Sequence, residues 1–334
     1  MVRLASIVLG CAAVAVRLST AVISMILATA GISACAKPLE SRNADPSRQV
    51  APLPACVRRL PGQQSTGGVR SALKEAEYWS LVFPSFEADR MHLPADALAC
   101  NGAPVFQDQL FSDSSPRHGE PGEVEEGDIL YGGGGAQLKL AWFRTHVASD
   151  GSSVGPLAMV RALDGLGEVY AVGVHRSRAR TRLSLERMGS DVVAAAADEG
   201  CLERAEGQPC ESRLTLYLPW RGELRQVAQI ALERIGYGVD SEPGMSGRVE
   251  YRLVSTLDYK DRGVVVLEQI TATDSLGREL RRAELEFLYA LEDGTLKSSG
   301  ESLWPLVAPA TEGGGGPTPP EEATAEPGEE PEEE

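Results

Sequence analysis

Alternating polarity between closely spaced turn signals is the feature of this chain that most restricts its fold. Turn-forming pairs recur through residues 137–304, at Asp150-Gly151, Asp164-Gly165, Gly189-Ser190, Arg221-Gly222, Arg262-Gly263, Leu276-Gly277 and Asp293-Gly294. In one of the intervening segments, the apolar Val249, Tyr251 and Leu253 alternate with Glu250 and Arg252. A period of two residues predicts antiparallel strands that bury one face.

About ten such segments follow one another, which predicts an all-β domain built as an antiparallel meander. A long meander must protect its edge strands, and closure or strong curling of the sheet is the usual solution. We therefore expect a barrel or half-barrel over residues 131–308, with a two-sheet sandwich as the alternative. The segment Glu223–Ile235 fits either a helix or a bulged strand, and the turn before it favours the strand.

The region before this domain, residues 56–130, is irregular and rich in proline. Apolar residues at helical spacing within Ser71–Phe83 predict one short helix that ends before Pro84. The acidic stretch Glu120–Asp128 lacks the alternating ligands of a calcium loop, so we interpret it as solvated surface. We expect the whole region to pack on the β domain.

The N-terminus has the layout of an export signal. Arg3 and Arg17 precede an apolar run that ends in small residues. The sequence Ile32-Ser33-Ala34-Cys35 resembles the lipobox of bacterial lipoproteins. This resemblance covers the N-terminal segment alone and implies a signal peptide over residues 1–34, cleavage before Cys35 and acylation of Cys35, for example with palmitate. Val8-Leu9-Gly10-Cys11 is a poorer match, because few apolar residues precede it.

An uncleaved transmembrane anchor over residues 4–34 is the alternative interpretation of this segment. A charge at the bilayer centre is costly, so Arg17 argues against that anchor. In lipoproteins of some bacteria an Asp after the acylated Cys retains the protein at the inner membrane. Ala36 stands at that position here, which favours the outer membrane.

Two low-complexity segments flank the body. Residues 35–55 are polar and contain prolines, which predicts a flexible tether. Residues 309–334 hold a glycine run followed by a Glu-rich sequence with almost no apolar residues, so we expect a disordered acidic tail.

The charge distribution excludes one class of function. The formal net charge is −16, and the nine Glu of residues 311–334 supply more than half of it. The remaining body is still mildly acidic. Binding to nucleic acid needs a concentrated basic face, so we do not expect a nucleic-acid partner.

The cysteines support an exported protein. With Cys11 removed and Cys35 acylated, four remain, and four cysteines allow three pairings. Cys201 and Cys210 enclose a short hydrophilic loop between strand-like segments, so they predict one disulfide. Cys56–Cys100 follows by elimination. No CxxC spacing or nearby His pair indicates a zinc site, and we expect no metal or cofactor.

Two motifs resemble catalytic signatures. Gly151-Ser152-Ser153-Val154-Gly155 matches G-x-S-x-G, in which Ser153 would be the nucleophile of a serine hydrolase. Its flanks read as strands, so a hairpin turn is the better interpretation. The glycine run after Tyr131 lacks the Lys-Ser/Thr of a phosphate-binding loop and reads as the approach to a strand. The four histidines, His92, His118, His146 and His175, are scattered.

Arg176, Arg178, Arg180 and Arg182 alternate in one segment. In an extended strand they would form a basic stripe that could bind an anionic partner, such as a lipid headgroup or an acidic polymer. A solvated hairpin tip is the alternative interpretation.

These observations predict a bacterial envelope lipoprotein that is held at a membrane through lipid on Cys35. We expect a non-enzymatic binding or scaffold module whose partner is an envelope protein or anionic lipid. The first alternative is a carrier that holds an apolar ligand in a curved sheet, which would resemble, in fold alone, the lipoprotein carriers of the outer-membrane localisation pathway. The second alternative is a serine hydrolase that uses Ser153.

Overall fold

The computed structural model describes residues 54–59, 73–105, 111–133, 138–163, 166–178, 180–202, 204–240 and 247–307. Within these ranges the chain forms fifteen strands and little helix, which confirms the all-β prediction, although about ten strands were expected. The strands are β1 (Cys56–Arg59), β2 (Ser114–Pro116), β3 (Ile129–Gly132), β4 (Leu138–Phe143), β5 (His146–Ala148), β6 (Ser153–Leu163), β7 (Leu166–Ser177), β8 (Thr181–Met188), β9 (Asp191–Asp198), β10 (Cys210–Trp220), β11 (Glu223–Asp240), β12 (Gly247–Lys260), β13 (Gly263–Thr273), β14 (Glu279–Glu292) and β15 (Thr295–Ser298). The predicted signal peptide, the acidic tail and the tether up to residue 53 lie outside the described residues.

The second half of the chain is an antiparallel meander. Each strand from β8 to β15 pairs with the next one along the chain. Two of the joining turns contain adjacent residues with positive φ, Arg221-Gly222 and Asp293-Gly294. This geometry matches the right-handed twist of the flanking strands, so the turns favour hairpins.

The first half forms a second group of strands in the order β3-β4-β6-β7. β1 adds to β7 from the region that was predicted to be irregular, and the short β2 and β5 pair beside β6. β7 meets the start of β11 through one parallel bridge between Val172 and Glu223. The sheet is therefore mixed, and it is not closed into a barrel.

The strands stack into layers separated by apolar cores. One core joins β4, β6 and β7 to the strands from β8 to β11, and a second joins β8–β11 to β13, β14 and β15. β9 lies between the two cores. Ala194 and Ala196 pack into the first core, and Ala195 and Ala197 pack into the second. Alanine is a weak strand former, but its small side chain lets β9 be buried on both faces.

Helix α1 (Glu75–Val82) covers the other face of β4, β6 and β7. Its start is stabilised by Glu77, whose carboxylate accepts a hydrogen bond of 2.7 Å from the Lys74 backbone N–H. It ends before Pro84, as predicted, because a proline disfavours helical backbone in the preceding residue. The helix buries Trp79 and Val82 completely.

The segment Glu223–Ile235 is a bulged strand, which confirms the sequence-based preference. It belongs to β11, and its pairing with β10 shifts register twice, opposite Ser212/Arg213 and opposite Leu216/Tyr217. Of the 18 residues of β11, Glu223–Ile235 pair with β10 and Glu233–Asp240 pair with β12.

Both predicted disulfides are confirmed. Cys56–Cys100 ties β1 to the loop that follows α1, with the two Cα atoms 6.1 Å apart. Cys201–Cys210 closes the loop between β9 and β10, with a Cα separation of 5.1 Å.

The chain ends its described part in a docked segment. The buried Glu268 carboxylate accepts hydrogen bonds from the Ser302 hydroxyl and the Leu303 N–H, at 3.0 and 2.9 Å. A short helix, α2 (Trp304–Val307), follows, and Trp304 packs over Gly236, where a Cβ atom would lie only 2.9 Å from its ring. The last described residues are therefore packed against β11 and β13.

We expect deletion of residues 309–334 to leave the melting temperature nearly unchanged, because those residues offer few apolar contacts. Trp304→Ala should lower it, since that side chain packs on β11. Thermal denaturation of the two variants beside the full chain tests this. A large drop on deleting the tail would mean that the Glu run docks on the body.

Candidate functional site

The G-x-S-x-G motif lies at a hairpin turn between β5 and β6. Gly151 has a φ of 79°, and Asp150 accepts hydrogen bonds from the Ser152 N–H and hydroxyl at 2.9 and 2.5 Å. Gly155 packs so closely on Phe143 that a Cβ atom would lie 1.7 Å from its carbonyl oxygen. The two glycines therefore serve a turn and a close strand contact, as the hairpin interpretation predicted.

Arg176 and Arg178 converge on this turn. Arg176 donates two hydrogen bonds to the Asp113 carboxylate, at 3.1 and 2.8 Å, and one of 2.8 Å to the Ser152 hydroxyl. Arg178 donates from Nε to Asp150 at 2.7 Å. The end of β7, the β5–β6 turn and the loop before β2 are thereby held together.

Ser153 belongs to a second network on the same hairpin. Its hydroxyl accepts a hydrogen bond of 3.2 Å from Arg117, and the Arg117 Nε lies 3.0 Å from the buried Asp128 carboxylate. The His118 Nε2 lies 2.7 Å from the other Asp128 oxygen, which also accepts from the Glu125 N–H. The interpretation of Glu120–Asp128 as solvated surface is wrong for Asp128, which is buried where these donors offset the cost of burying its carboxyl group.

Together, these residues form the candidate site, which we call the Asp150 cluster. It comprises Asp113, Arg117, His118, Asp128, Asp150, Ser152, Ser153, Arg176 and Arg178.

Two carboxylates of the Asp150 cluster, Asp150 and Asp113, have lowered pKa values. Partial burial alone would raise the pKa of Asp150, but hydrogen bonds from Ser152, Arg178 and Arg176 outweigh it and hold this pKa well below its usual value. The hydrogen bonds from Arg176 likewise lower the pKa of Asp113. The pairs that Asp150 and Asp113 form with Arg176 and Arg178 therefore stay intact at neutral pH.

We expect Asp150→Asn to lower the stability at pH 7 by about 2 kcal/mol, the scale of hydrogen bonds to charged groups. A carboxylate whose pKa is lowered on folding stabilises the protein above its unfolded pKa and loses that contribution as the pH falls. The difference between wild type and variant should therefore shrink below about pH 4. Melting temperatures measured from pH 7 downwards test this. Asp96→Asn, which removes the same charge from an exposed turn, serves as the control, and a gap that stays constant with pH would contradict the expectation.

His175 lies in β7 next to Arg176 but faces the opposite way, into the core between the first two strand layers. It is fully buried, with Nδ1 2.8 Å from the Tyr217 hydroxyl and its ring edge-on to Trp142 at 4.7 Å. Its Nε2 lies 3.3 Å from Asp198 Oδ1, without hydrogen-bond geometry. Asp198 also accepts a hydrogen bond from Thr181 at 3.0 Å. Burial and the nearby Asp198 raise the pKa of Tyr217.

This arrangement bears on the hydrolase alternative. A Ser nucleophile needs a base within hydrogen-bond reach. Ser153 instead accepts a hydrogen bond from Arg117, a permanently charged donor that cannot take a proton. The two ring nitrogens of His175 face Tyr217 and Asp198.

The four arginines of the predicted stripe do not share one strand. Arg176 lies in β7 and Arg182 in β8, with Arg178 and Arg180 in the connection between them. Arg180 lies 3.8 Å from Glu199, and Arg176 and Arg178 pair with Asp113 and Asp150. Ion pairs thus compensate three of the four charges. Anion binding by this segment stays a prediction.

Comparisons with known proteins identify no relative. No protein-family model matches the chain, and neither the curated proteins nor the solved structures contain a match. Among the described residues, no helix has the length and apolar character needed to cross a membrane. The same residues contain no group of three or more His, Cys, Asp or Glu that could hold a metal ion.

Proposed function

We propose that this chain is a bacterial envelope lipoprotein, anchored through lipid on Cys35, whose β body acts as a binding or scaffold module. The observation that carries the proposal is the pair of disulfides, because each joins cysteines that the fold brings within 6.1 Å of each other at their Cα atoms. Stable disulfides belong to exported proteins in oxidising compartments. The lipobox-like Ile32–Cys35 supplies the matching export signal.

The packing of the body supports a scaffold over a carrier. A carrier needs an apolar cavity for its ligand. Here the core between β8–β11 and β13–β15 is filled by apolar side chains, and Leu216, Val264 and Val266 in it are fully buried. The carrier remains the second candidate. The contact of Ser153 with Arg117 gives no support to a serine hydrolase that uses Ser153.

Location follows from the anchor. Ala36 after the acylated Cys favours the outer membrane, with the body in the periplasm. A single acyl chain anchors a protein only marginally, and a second chain makes the attachment stable. Full lipoprotein processing adds more than one chain, so the hydrophilic body should fractionate with membranes.

Cys35→Ser tests the anchor without touching the folded body. We expect wild-type protein to incorporate a palmitate analogue during growth and the variant to lose this label completely. The variant should also stay as a precursor or leave the membrane fraction. Cys11→Ser is the matched control, because Cys11 ends the poorer lipobox match. Equal labelling of wild type and Cys35→Ser would overturn the proposal.

A further inference from the structure

Three parts of the chain meet where the body begins. The Ala55 N–H donates a hydrogen bond of 2.8 Å to the Val169 carbonyl, which fixes the first described residues on β7. The β10–β11 turn lies directly beside it, since a Cβ atom on Gly222 would come within 3.0 Å of the Ala55 Cβ. Asn101 donates a hydrogen bond of 2.7 Å to the Gly222 carbonyl. We call this part of the body, at the β10–β11 turn, the Ala55 end.

Large apolar side chains are exposed at the Ala55 end. Val57, Leu98 and Trp220 are each about half exposed, at 50, 50 and 49 per cent, and each lies within three residues of the contact just described. Trp220 stands at the end of β10, immediately before the turn. Exposed apolar groups that collect at one place on a protein usually mark an interaction surface.

The positively charged side chain of Arg221 lies beside the exposed Trp220. The Arg221 guanidinium lies 5.6 Å from the centre of the Trp220 ring, at the tip of the hairpin. Tryptophan is enriched at membrane–water interfaces, where one side of the ring is apolar and its N–H is hydrated. Arginine is attracted to the phosphates of anionic lipids. The pair therefore suits a bilayer surface.

The point of attachment decides which surface is held near the membrane. About twenty residues separate Cys35 from Ala55, and a flexible chain of that length spans roughly 25 Å on average. A lipid on Cys35 would hold the Ala55 end at about that average distance from the bilayer, so its effective concentration there would be high. Of the seven other large apolar residues that are exposed in the described part of the chain, Val239 and Leu276 are the most exposed, at 73 and 76 per cent. They lie far from this turn, since Val239 is sixteen residues beyond Glu223 along β11. That separation is about 50 Å along an extended strand.

We propose that the Ala55 end rests on the phospholipid bilayer, with Trp220 inserted at the headgroup level and Arg221 against lipid phosphates. This inference rests on the proposed lipid anchor and adds an orientation to it. The opposite end of the strands would then face away from the membrane.

The intrinsic fluorescence of the full mature protein tests the orientation. The chain has four tryptophans, of which Trp79 and Trp142 are fully buried and Trp304 is partly buried. Acylated protein is reconstituted into vesicles of phosphatidylcholine with brominated acyl chains and a minority of phosphatidylglycerol, and emission is compared with that in unbrominated vesicles. We expect Trp220→Phe to lose most of the bromine quenching and Trp304→Phe to retain it.

The outcomes separate this inference from the proposed function. If the protein is acylated and floats with the vesicles, but wild type and Trp220→Phe are quenched equally, the orientation is wrong and the anchor stands. If acylation and flotation both fail, the anchor itself is wrong. A Trp220 side chain that is unquenched in vesicles but crosslinks to a protein in native membranes would identify a protein partner and also overturn the orientation. Both variants should keep the wild-type melting temperature to within a few degrees, which excludes unfolding as the cause.

Discussion

Trp79→Ala should destabilise the body by about 3–5 kcal/mol, the usual cost of removing a large buried aromatic side chain. Trp79 is completely buried at the centre of the core between α1 and the first strand layer. Its ring packs edge-on to Phe143, with 4.7 Å between centroids, and against Phe83 and Phe86 at 5.6 Å. Chemical denaturation measures the loss, and the midpoint should fall strongly.

Trp79→Phe is the matched control. The indole N–H of Trp79 is buried without a hydrogen-bond partner in the described structure. Such a donor costs about 1–3 kcal/mol. Phenylalanine removes this donor and keeps most of the aromatic volume, so the expected loss is clearly smaller than for alanine. Equal losses for the two variants would show that the ring does not support the core.

Sequence patterns located best the strands that expose one face to solvent. In β12, Val249, Tyr251 and Leu253 are buried, while Arg252 is exposed, as alternation predicted. In β14, Phe287 is buried between the exposed Glu286 and partly buried neighbours. Alternation works there because one face of each strand meets water, so polarity records the direction of each side chain.

β9 lacks this alternation and was indicated only by the turn before it and the loop after it, whereas β1 and β2 were missed. β9 is buried on both sides, so its four central alanines show no alternation. β1 and β2 have only four and three residues and exist through pairing with β7 and β5. Their propensity is too weak to identify them, because partners more than a hundred residues away or across a loop supply the stabilisation.

The polar sites were predictable only in part. The hairpin at Asp150 followed from local turn chemistry, because the signal and the structure occupy the same few residues. The partners of the arginines and of His175 did not follow. Tyr217 is 42 residues from His175, and Asp113 is 63 residues from Arg176. The only sequence signal was a polar residue inside an apolar strand, which identifies a buried group without its partner.

Replacing Cys56 and Cys100 together by Ser should cost about 4 kcal/mol at most, because the disulfide closes a loop of about 45 residues in the unfolded chain. The same arithmetic gives about 2.7 kcal/mol for the loop of about ten residues closed by Cys201–Cys210. The loss of Cys56–Cys100 should also weaken the structure of β1 in particular. Cys56–Cys100 joins the four-residue β1 to the loop that carries Asn101, and the other contacts of β1 include its pairing with β7 and the hydrogen bond from Arg58 to the Ser80 carbonyl.

Denaturation of the two double variants under identical conditions measures this difference, with reduced wild-type protein as a third sample. We expect the Cys56→Ser/Cys100→Ser protein to unfold at the lower denaturant concentration and to lose amide-exchange protection first in β1. Loss of β1 would also free the Ala55 end, so the quenching of Trp220 by brominated lipid should change in this variant and not in Cys201→Ser/Cys210→Ser. If Cys201→Ser/Cys210→Ser loses more stability than Cys56→Ser/Cys100→Ser, then the contribution of these disulfides is determined by contacts within the β9–β10 connection and not by chain entropy.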